Sequence, residues 1–256
     1  MIGGTGLDHF ALTEQRIIRV ETPYGPVEPM VGKLANRELV FMSRHGRDHV
    51  IPPHLVNYRA NIWALHELGV RKILATAAVG SLSKDYRLGE LVLFDQFLDF
   101  TKSRPLTFYE GGQQGVLHVD MTEPYCSAVR QVIIKASKQL GFAVKNGACY
   151  VCTEGPRFET PAEIRMFQLL GADVVGMTSV PEVVLARELG MCYASIGMVT
   201  NEAAGIASHR LSHTEVMESI KNLENKVAQL IQATVERWSS SQDCLCVSAN
   251  VEVGKF

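Results

Sequence analysis

The 256-residue chain lacks any long apolar run, and its longest runs are strand-sized, such as residues 90–94 and 180–186. Since a transmembrane helix needs about 20 apolar residues, no membrane span is predicted. Blocks of like charge are also lacking, with 25 basic against 27 acidic residues, which argues against a nucleic-acid groove or a membrane-surface patch. The first residues do not form a basic stretch followed by an apolar one, so no signal peptide is predicted and a cytoplasmic location is expected.

Cysteine is scarce, with six residues scattered along the chain. Cys149 and Cys152 have CxxC spacing but lie in an apolar, strand-like stretch, whereas a zinc site would need a second pair at suitable spacing on a turn. Buried free thiols are therefore the favoured interpretation, and no metal is expected. Cys244 and Cys246 form a CxC near the end of the sequence. A disulfide there would fit an organism with oxidised intracellular thiols.

The sequence has no internal repeat and no low-complexity linker, and its length fits one large α/β domain. Helical periodicity covers residues 57–68, 125–140 and 214–238, and buried strands are predicted at 71–78, 174–175 and 192–199. This alternation predicts a largely parallel sheet flanked by helices. We expect one folded domain over residues 1–238, followed by a tail over residues 239–256.

Three predicted helix starts carry the S/T-x-x-E capping box, at residues 160–163, 179–182 and 212–215. Each lies beside residues that are candidates for a functional site. Because helix N-termini offer free N–H groups and a positive dipole end, they favour anionic ligands.

Two segments at predicted strand ends are candidates for phosphate binding. Residues 3–6, Gly-Gly-Thr-Gly, would let the backbone approach a phosphate closely and would add the Thr5 hydroxyl. Residues 43–49 hold two arginines and two histidines, and Arg44 could grip a phosphate with two N–H groups. The alternatives are a plain glycine turn for the first segment and a solvated polar loop for the second.

Two further segments carry groups suited to a planar base. Phe158 and Glu159 come immediately before a capped helix, where the ring could stack on a base and an ionised carboxylate could only accept hydrogen bonds. Asn201 ends a buried strand, and ligands of α/β folds gather at the carboxyl ends of strands. The alternatives are a helix-dipole carboxylate for Glu159 and a turn residue for Asn201.

Taken together, the chain resembles the trimeric purine nucleoside phosphorylase and methylthioadenosine phosphorylase family. The resemblance covers residues 3 to about 238. Its motifs, in order, are GGTGL, SRHGRDH, PPHLVNYRANIWAL, SRPLTFYEGG, TEGPRFET, GMTSVPEVVLARELG and CYASIGMVTNEAAG. The resemblance implies an α/β fold whose mixed sheet closes partly into a barrel, and a homotrimer that can pair into a hexamer. It implies purine salvage with inorganic phosphate as co-substrate and no cofactor.

The resemblance also implies roles for particular residues. Met177 would cover the ribose, and His118 would reach into the pocket of a neighbouring subunit. Phosphate would be held by Thr5, Arg44, His45, the backbone at Ala78, and Thr178, and the base by Phe158, Glu159, Val175 and Asn201. Ala77 departs from relatives, which often carry Thr or Asn there, so one contact is in doubt.

The choice of purine depends on Glu159 and Asn201. A carboxylate accepts from the N1–H of a 6-oxopurine and repels N1 of adenine, and an amide can donate to N7 or O6. The adenine-selective branch resembles this chain but typically carries Ser and Asp at these positions, and Asn in place of Gly176. The sequence therefore predicts phosphorolysis of inosine, guanosine and their deoxy forms, although a flipped Asn amide would permit either base.

The group that the substrate carries at the 5′ carbon of its sugar is a second open question. His213 aligns with the residue that binds the 5′-hydroxyl in oxopurine enzymes, whereas the methylthio branch uses an apolar residue there; a surface histidine at a helix start is the alternative. Phosphorolysis of methylthioadenosine or methylthioinosine is the nearest rival function. A hydrolytic nucleosidase would not need Arg44 and His45, and a nucleotide sensor or thiol redox protein would not explain Glu159 together with Asn201.

Overall fold

The fold is seen in a computed structural model, which describes residues 1–4, 7, 12–207, 210–239, 244–250 and 253–254. Nine strands form one mixed sheet in the order β10-β6-β8-β9-β5-β1-β4-β3-β2, and β11 pairs with β7 in a separate ribbon. The strands are β1 (Ile2–Gly3), β2 (Thr13–Ile17), β3 (Met30–Leu34), β4 (Arg37–Ser43), β5 (Lys72–Ser81), β6 (Leu91–Phe100), β7 (Val116–Leu117), β8 (Lys145–Thr153), β9 (Val174–Gly176), β10 (Cys192–Glu202) and β11 (Val253–Gly254).

One extra pairing closes part of this sheet into a barrel. Strand β10 pairs with β6 on one side and also runs parallel to β5, so that β5, β10, β6, β8 and β9 form a closed ring. The remaining strands of the sheet extend from β5 through β1. The expected α/β fold, with a mixed sheet partly closed as a barrel and flanked by helices, is confirmed.

Within the described part of the chain, five α-helices flank the sheet: α1 (Tyr58–Glu67), α2 (Ser127–Gln139), α3 (Pro161–Leu169), α4 (Ser179–Glu188) and α5 (His213–Glu236). Helix α5 buries Val216, Ile220, Leu223, Val227 and Leu230, which recur at helical spacing on one face. The helices expected at residues 57–68, 125–140 and 214–238 are thus confirmed within two residues at each end. Among the described residues, no helix is both long and apolar enough to cross a membrane.

Two of the three predicted capping boxes lie at helix starts. At α3, the Thr160 hydroxyl accepts from the Glu163 N–H at 3.2 Å and the Glu163 carboxylate accepts from the Thr160 N–H at 2.7 Å. At α5, the Ser212 hydroxyl accepts from the Glu215 N–H at 3.2 Å. These caps satisfy N–H groups that the first turn of a helix leaves without intrahelical partners.

The third predicted capping box, at residues 179–182, is wrong. The N-cap of α4 is Thr178, without a side-chain cap hydrogen bond. The Ser179 hydroxyl instead pairs with the Tyr125 hydroxyl at 2.7 Å, and Glu182 is engaged by Arg44. Both side chains of the motif are used in tertiary contacts, which the local spacing cannot reveal.

Residues 244–250 pack against the core of the domain. Residues Leu245–Ser248 form a short 3₁₀ helix, Cys246 is buried in it, and Asn250 Nδ2 donates to the Glu188 carbonyl at 3.1 Å. All six cysteines are free thiols, so the disulfide considered for Cys244 and Cys246 is not formed in this structure.

Candidate active site

Ten of the twelve residues predicted for the site line one cavity of about 410 Å³. They are Arg44, His45, Ala78, Phe158, Glu159, Val175, Met177, Thr178, Asn201 and His213. Of the other two, Thr5 lies outside the described residues. His118 is exposed just after β7 and is not among the residues that line this cavity. The predicted contribution of His118 to a neighbouring subunit stays a prediction.

A second, larger depression of about 780 Å³ lies elsewhere, around Met1, Lys33 and Trp238. It contains none of the residues predicted for the site, and its Lys33 ammonium is paired with Glu14 at 2.7 Å on the surface. The smaller cavity is therefore the candidate active site.

The barrel brings the site residues together at strand ends. In the register of β10 with β5, Met198 lies beside Ala78 and Asn201 beside Gly80, and in β9 Val175 also lies beside Gly80. A methyl group added at Gly80 would lie 3.1 Å from Asn201 Nδ2 and 3.2 Å from Val175 Cγ1. The glycine thus keeps open the space between two residues predicted to hold the base.

Arg44 is buried beneath this cavity and forms an ion pair with Glu182. Its Nε and Nη2 donate to the two carboxylate oxygens, the latter at 2.8 Å, and Nη1 donates to the Thr76 carbonyl at 2.9 Å. The Tyr193 hydroxyl donates to the same carboxylate at 2.7 Å. Burial alone would lower the pKa of Arg44, but the Glu182 carboxylate outweighs it and raises that pKa.

The glycine-rich start of the chain contributes to this arrangement. A methyl group added at Gly4 would lie 2.4 Å from Arg44 Nη1 and 3.0 Å from the Thr76 carbonyl oxygen. The Gly4 N–H donates to the Thr76 hydroxyl at 3.2 Å. Gly4 therefore leaves room for the guanidinium.

His45 is held in one tautomer by a backbone carbonyl. Its Nδ1 lies 2.8 Å from the Ile51 oxygen, and since a carbonyl only accepts, Nδ1 carries the proton. Burial, followed by the nearby Arg44 charge, lowers the pKa of His45 to about 4. At neutral pH the ring is thus neutral, and Nε2 is a hydrogen-bond acceptor that suits a protonated phosphate oxygen.

Glu159 is a buried carboxylate with one neutral partner. Burial raises its pKa, while the hydrogen bond from the Thr153 hydroxyl, 2.6 Å from Oε1, acts in the opposite direction. Thr153 ends β8 and Glu159 precedes the N-cap of α3, so the end of a barrel strand orients the carboxylate.

Asn201 is oriented by its neighbours in the chain. Its Nδ2 donates to the Glu202 carbonyl at 2.9 Å, which distinguishes the amide nitrogen from the oxygen because a carbonyl cannot donate. The Thr200 hydroxyl donates to Asn201 Oδ1 at 2.9 Å. The second hydrogen of Nδ2 remains for a ligand, whereas Oδ1 already accepts one hydrogen bond.

The sequence is also similar to known proteins over most of its length. The model of the phosphorylase superfamily matches residues 1–236. The chain belongs to this superfamily.

Its relatives are similar over almost the whole chain. A probable 6-oxopurine nucleoside phosphorylase of Thermococcus kodakarensis is 50% identical over 255 residues, covering 97% of this chain and 96% of the relative. A probable S-methyl-5′-thioinosine phosphorylase of Methanopyrus kandleri is also 50% identical, with the same two coverages. Among solved structures, a methylthioadenosine phosphorylase from an antarctic soil metagenomic library has a TM-score of 0.89 at 36% identity, covering 97% of this chain and 89% of that one.

Arg104 holds two segments near the cavity together, although no role for it was predicted from the sequence. Its Nη1 donates to the carbonyls of Met177 and Val180 at 2.7 and 2.8 Å, and its Nη2 donates to the carbonyl of Glu154 at 2.7 Å. The guanidinium thereby ties the segment that carries Met177 to the end of β8. The SRPLTFY motif marked the segment, but nothing local to it indicates these partners.

Tyr150 is a second residue near the site that was not predicted from the sequence. Its hydroxyl accepts from the Thr178 N–H at 3.0 Å, and a methyl group at Gly176 would lie 2.7 Å from this oxygen. Gly176 therefore makes room for the tyrosine that orients the residue predicted to hold phosphate.

Phe158 and His213 are the exposed members of the site. Phe158 is 39% exposed, and His213 is the exposed first residue of α5 beside its cap Ser212. Leu211 and Val216 line the same cavity. This part of the cavity wall therefore combines the polar imidazole of His213 with the apolar side chains of Leu211 and Val216.

We expect Glu182→Gln to lower the free energy of unfolding by about 3–5 kcal/mol, because it leaves the buried Arg44 charge without compensation. Urea unfolding at a fixed protein concentration measures this change. Glu188→Gln is the matched control. Glu188 is equally buried but accepts from the Thr107 hydroxyl and the Phe108 N–H, which an amide can also satisfy. Equal losses in the two variants would contradict the special role of the ion pair.

Proposed function

We propose that this protein catalyses phosphorolysis of 6-oxopurine nucleosides, such as inosine, guanosine and their deoxy forms, to the free base and (deoxy)ribose 1-phosphate. The reaction would serve purine salvage in the cytoplasm and needs inorganic phosphate but no cofactor. Relatives named as 6-oxopurine nucleoside phosphorylases support this proposal, because their sequences are 48–50% identical to this one over 97% of its length.

The observation that carries the choice of base is the fixed orientation of Asn201. Its Nδ2 donates to the Glu202 carbonyl and keeps a second hydrogen, while Oδ1 already accepts from Thr200. The amide therefore keeps one N–H for the base, which O6 of a 6-oxopurine can accept and the amino group of adenine cannot, whereas N7 accepts in both bases.

Glu159 supports the same choice from the acceptor side. An ionised carboxylate accepts from the N1–H of hypoxanthine or guanine, whereas N1 of adenine has no hydrogen to give. A mismatch leaves a buried polar group without a partner, at a cost of about 1–3 kcal/mol. Two mismatches correspond to very roughly a hundredfold selectivity or more, since about 1.4 kcal/mol is a factor of ten.

Phosphate would be held by Arg44, His45, Thr178 and the backbone at Ala78, with Thr5 as a further predicted ligand. Arg44 donates one hydrogen from each of its Nη atoms to Thr76 and Glu182, so each Nη keeps one hydrogen for an anion. His45, with Nε2 as an acceptor, can bind the remaining P–OH of the phosphate dianion.

In the proposed step, the bond between C1′ and N9 breaks and its electron pair goes to the purine, which leaves a sugar with oxocarbenium character. A phosphate oxygen then bonds to C1′. The proton lost by the monohydrogen phosphate balances the proton that the purine anion gains. Asn201 donates to N7 or O6 as negative charge develops there, so its contribution is larger in the transition state than in the ground state.

We also propose that the working form is a homotrimer, or a hexamer of two trimers. His118 would then reach the cavity of a neighbouring subunit. The proposal follows from the family resemblance of this position, and the location of His118 away from the cavity of its own chain is compatible with it.

S-Methyl-5′-thioinosine is a second candidate substrate, because apolar residues lie near the proposed 5′ end of the sugar. Ile51, Leu211 and Val216 line the cavity together with His213. A methylthio group would favour these residues, and a hydroxyl would favour the imidazole. The proposed contacts to the base are the same for both substrates.

The first test is base release from inosine, guanosine, adenosine, methylthioadenosine and methylthioinosine, each with and without phosphate. We expect phosphate-dependent release of hypoxanthine and guanine from the plain nucleosides. A preference for methylthioinosine would keep the assignment of the base and overturn that of His213. A preference for the adenine compounds would overturn the roles of Glu159 and Asn201, and release without phosphate would overturn phosphorolysis itself.

Replacing the donor at position 201 tests its part in the reaction. We expect Asn201→Ala to lower kcat for inosine by roughly 10²–10³-fold, the typical effect of losing a single donor to a developing anion. Steady-state kinetics at saturating phosphate give the value. Asn146→Ala, which removes an exposed asparagine of β8, is the control and should leave kcat unchanged. An unchanged kcat in Asn201→Ala would remove Asn201 from the mechanism.

The pH dependence of the reaction tests Glu159. The hydrogen bond from Thr153 lowers the pKa of Glu159, so Thr153→Val should raise it further above its ordinary value. Because only the ionised carboxylate accepts from N1–H, activity is lost as pH falls through that pKa. The acidic limb of kcat/KM for inosine should therefore move to higher pH in Thr153→Val and stay in place in Thr153→Ser. Superimposable profiles for the wild type and Thr153→Val would contradict this role of Glu159.

A further inference from the structure

Four cysteine side chains converge at one place outside the candidate active site. The sulfur atoms of Cys126, Cys192, Cys244 and Cys246 all lie within 4.8 Å of one another, and those of Cys192 and Cys244 are 3.3 Å apart. Three of the four residues are buried and Cys244 is half-buried. None of them lines the 410 Å³ cavity, so the cluster has no part in the proposed reaction.

The four thiols come from three separate parts of the chain. Cys126 is the N-cap of α2, and Cys192 is the first residue of β10. Cys244 and Cys246 belong to the 3₁₀ helix at the end of the chain, as its N-cap and second residue. A ligand bound by all four sulfur atoms would therefore attach the segment around Cys244 and Cys246 to α2 and β10.

The spacing of the sulfur atoms is that of a tetrahedral metal site. A Zn–S bond of about 2.3 Å puts the sulfurs of a tetrahedral Zn(Cys)₄ site about 3.8 Å apart. The Cys192–Cys244 distance of 3.3 Å lies below that value, and the 4.8 Å within which all four sulfur atoms lie is above it. A disulfide requires an S–S distance of about 2.05 Å and joins sulfurs only in pairs.

Two groups beside the cluster would offset the negative charge of a bound tetrathiolate. Nη1 of the buried Arg187 donates to Cys246 Sγ at 3.3 Å, and the Nε of Arg187 is fixed by the Asp120 carbonyl at 3.0 Å. Cys126 lies at the N-terminus of α2, where the helix dipole stabilises negative charge. Zinc bound by four thiolates carries a net charge of −2, and the arginine and the helix offset part of it. The Asp120 carboxylate, 3.6 Å from Arg187 Nη2, is the acidic group that faces this arginine.

We propose that Cys126, Cys192, Cys244 and Cys246 bind one zinc ion, which anchors the C-terminal segment to α2 and β10. The site has a full set of four protein ligands, so its role is structural. It uses the CxC pair of the tail together with two cysteines that are distant in sequence. Cys149 and Cys152, whose CxxC spacing resembles that of a zinc site, are separated between the two faces of β8 and stay outside it.

The metal content of the purified full chain tests this proposal. The protein is produced in zinc-supplemented medium and purified under reducing conditions without chelator, and zinc is measured by inductively coupled plasma mass spectrometry. We expect about one zinc ion per chain, the stoichiometry of a Cys₄ site. The double substitution Cys244→Ser and Cys246→Ser should reduce zinc to background. Cys149→Ser, which changes a half-buried thiol outside the cluster, should retain it.

A second measurement keeps the test decisive if the double variant fails to fold. Titration of the wild-type protein with a mercurial reagent should release zinc in step with the reaction of the clustered thiols. Replacement of zinc by Co²⁺ should give the strong visible absorption of a tetrahedral tetrathiolate.

The proposal is overturned if the reduced wild-type protein, offered Zn²⁺, holds far less than one ion per chain, or if the double variant holds as much as the wild type. It is also overturned if the chain purified without reductant has a mass lower by four hydrogen atoms and peptide mapping places the two disulfides among these four cysteines. None of these outcomes depends on which nucleoside is the substrate.

Discussion

The ion pair between Arg44 and Glu182 is the interaction on which the candidate active site depends. It joins the residue after β4 to helix α4, which packs against α1 and β10, and Tyr193 of β10 and the Thr76 carbonyl of β5 complete it. Removing two charges from water costs several kcal/mol for each ion, so such a pair is stable only when its geometry is good and its remaining groups have partners. Here both carboxylate oxygens and all three guanidinium nitrogens are engaged.

Backbone carbonyls orient three further polar side chains at or near the cavity. Nδ1 of His45, Nδ2 of Asn201 and both Nη atoms of Arg104 donate to backbone carbonyls. A carbonyl can only accept, so each contact fixes which atom of the side chain is the donor in that hydrogen bond. The direction of hydrogen bonding toward a ligand is therefore determined by the backbone at strand ends and loops.

The fold was predictable from the sequence because its signals are local and strong. The apolar period of α5 and the run of small and β-branched residues in β5 each identify an element without reference to the rest of the chain. The motifs also identified residues that the fold brings together, since ten of the twelve predicted site residues line one cavity. Long-range partners could not be predicted. Glu182 matched a capping box, and only the fold brings Arg44, 138 residues away in sequence, into contact with it.

The same limit applies to Arg104 and to the cysteines. Arg104 binds carbonyls 49 to 76 residues further along the chain, and no spacing rule connects such positions. The CxxC of β8 had the spacing of a metal site, yet the converging thiols are Cys126 and Cys192 with the CxC of the tail. Each pair alone has a spacing or separation that fits no zinc motif. Their convergence is a consequence of the barrel, which puts the start of β10 beside the start of α2, where the Cys126 N–H donates to the Tyr193 carbonyl at 2.8 Å.

The charge balance of the cavity bears on how the proposed reaction is accelerated. Arg44 is neutralised by Glu182 and His45 is neutral at physiological pH, so these two residues together offer the phosphate dianion no net positive charge. A dianion at such a place is held by N–H and O–H donors, and its charge is only partly compensated in the ground state. The oxocarbenium character that develops at C1′ supplies the missing positive charge. The interaction between phosphate and sugar is then stronger in the transition state than in the bound substrate, which is the condition under which binding energy raises kcat.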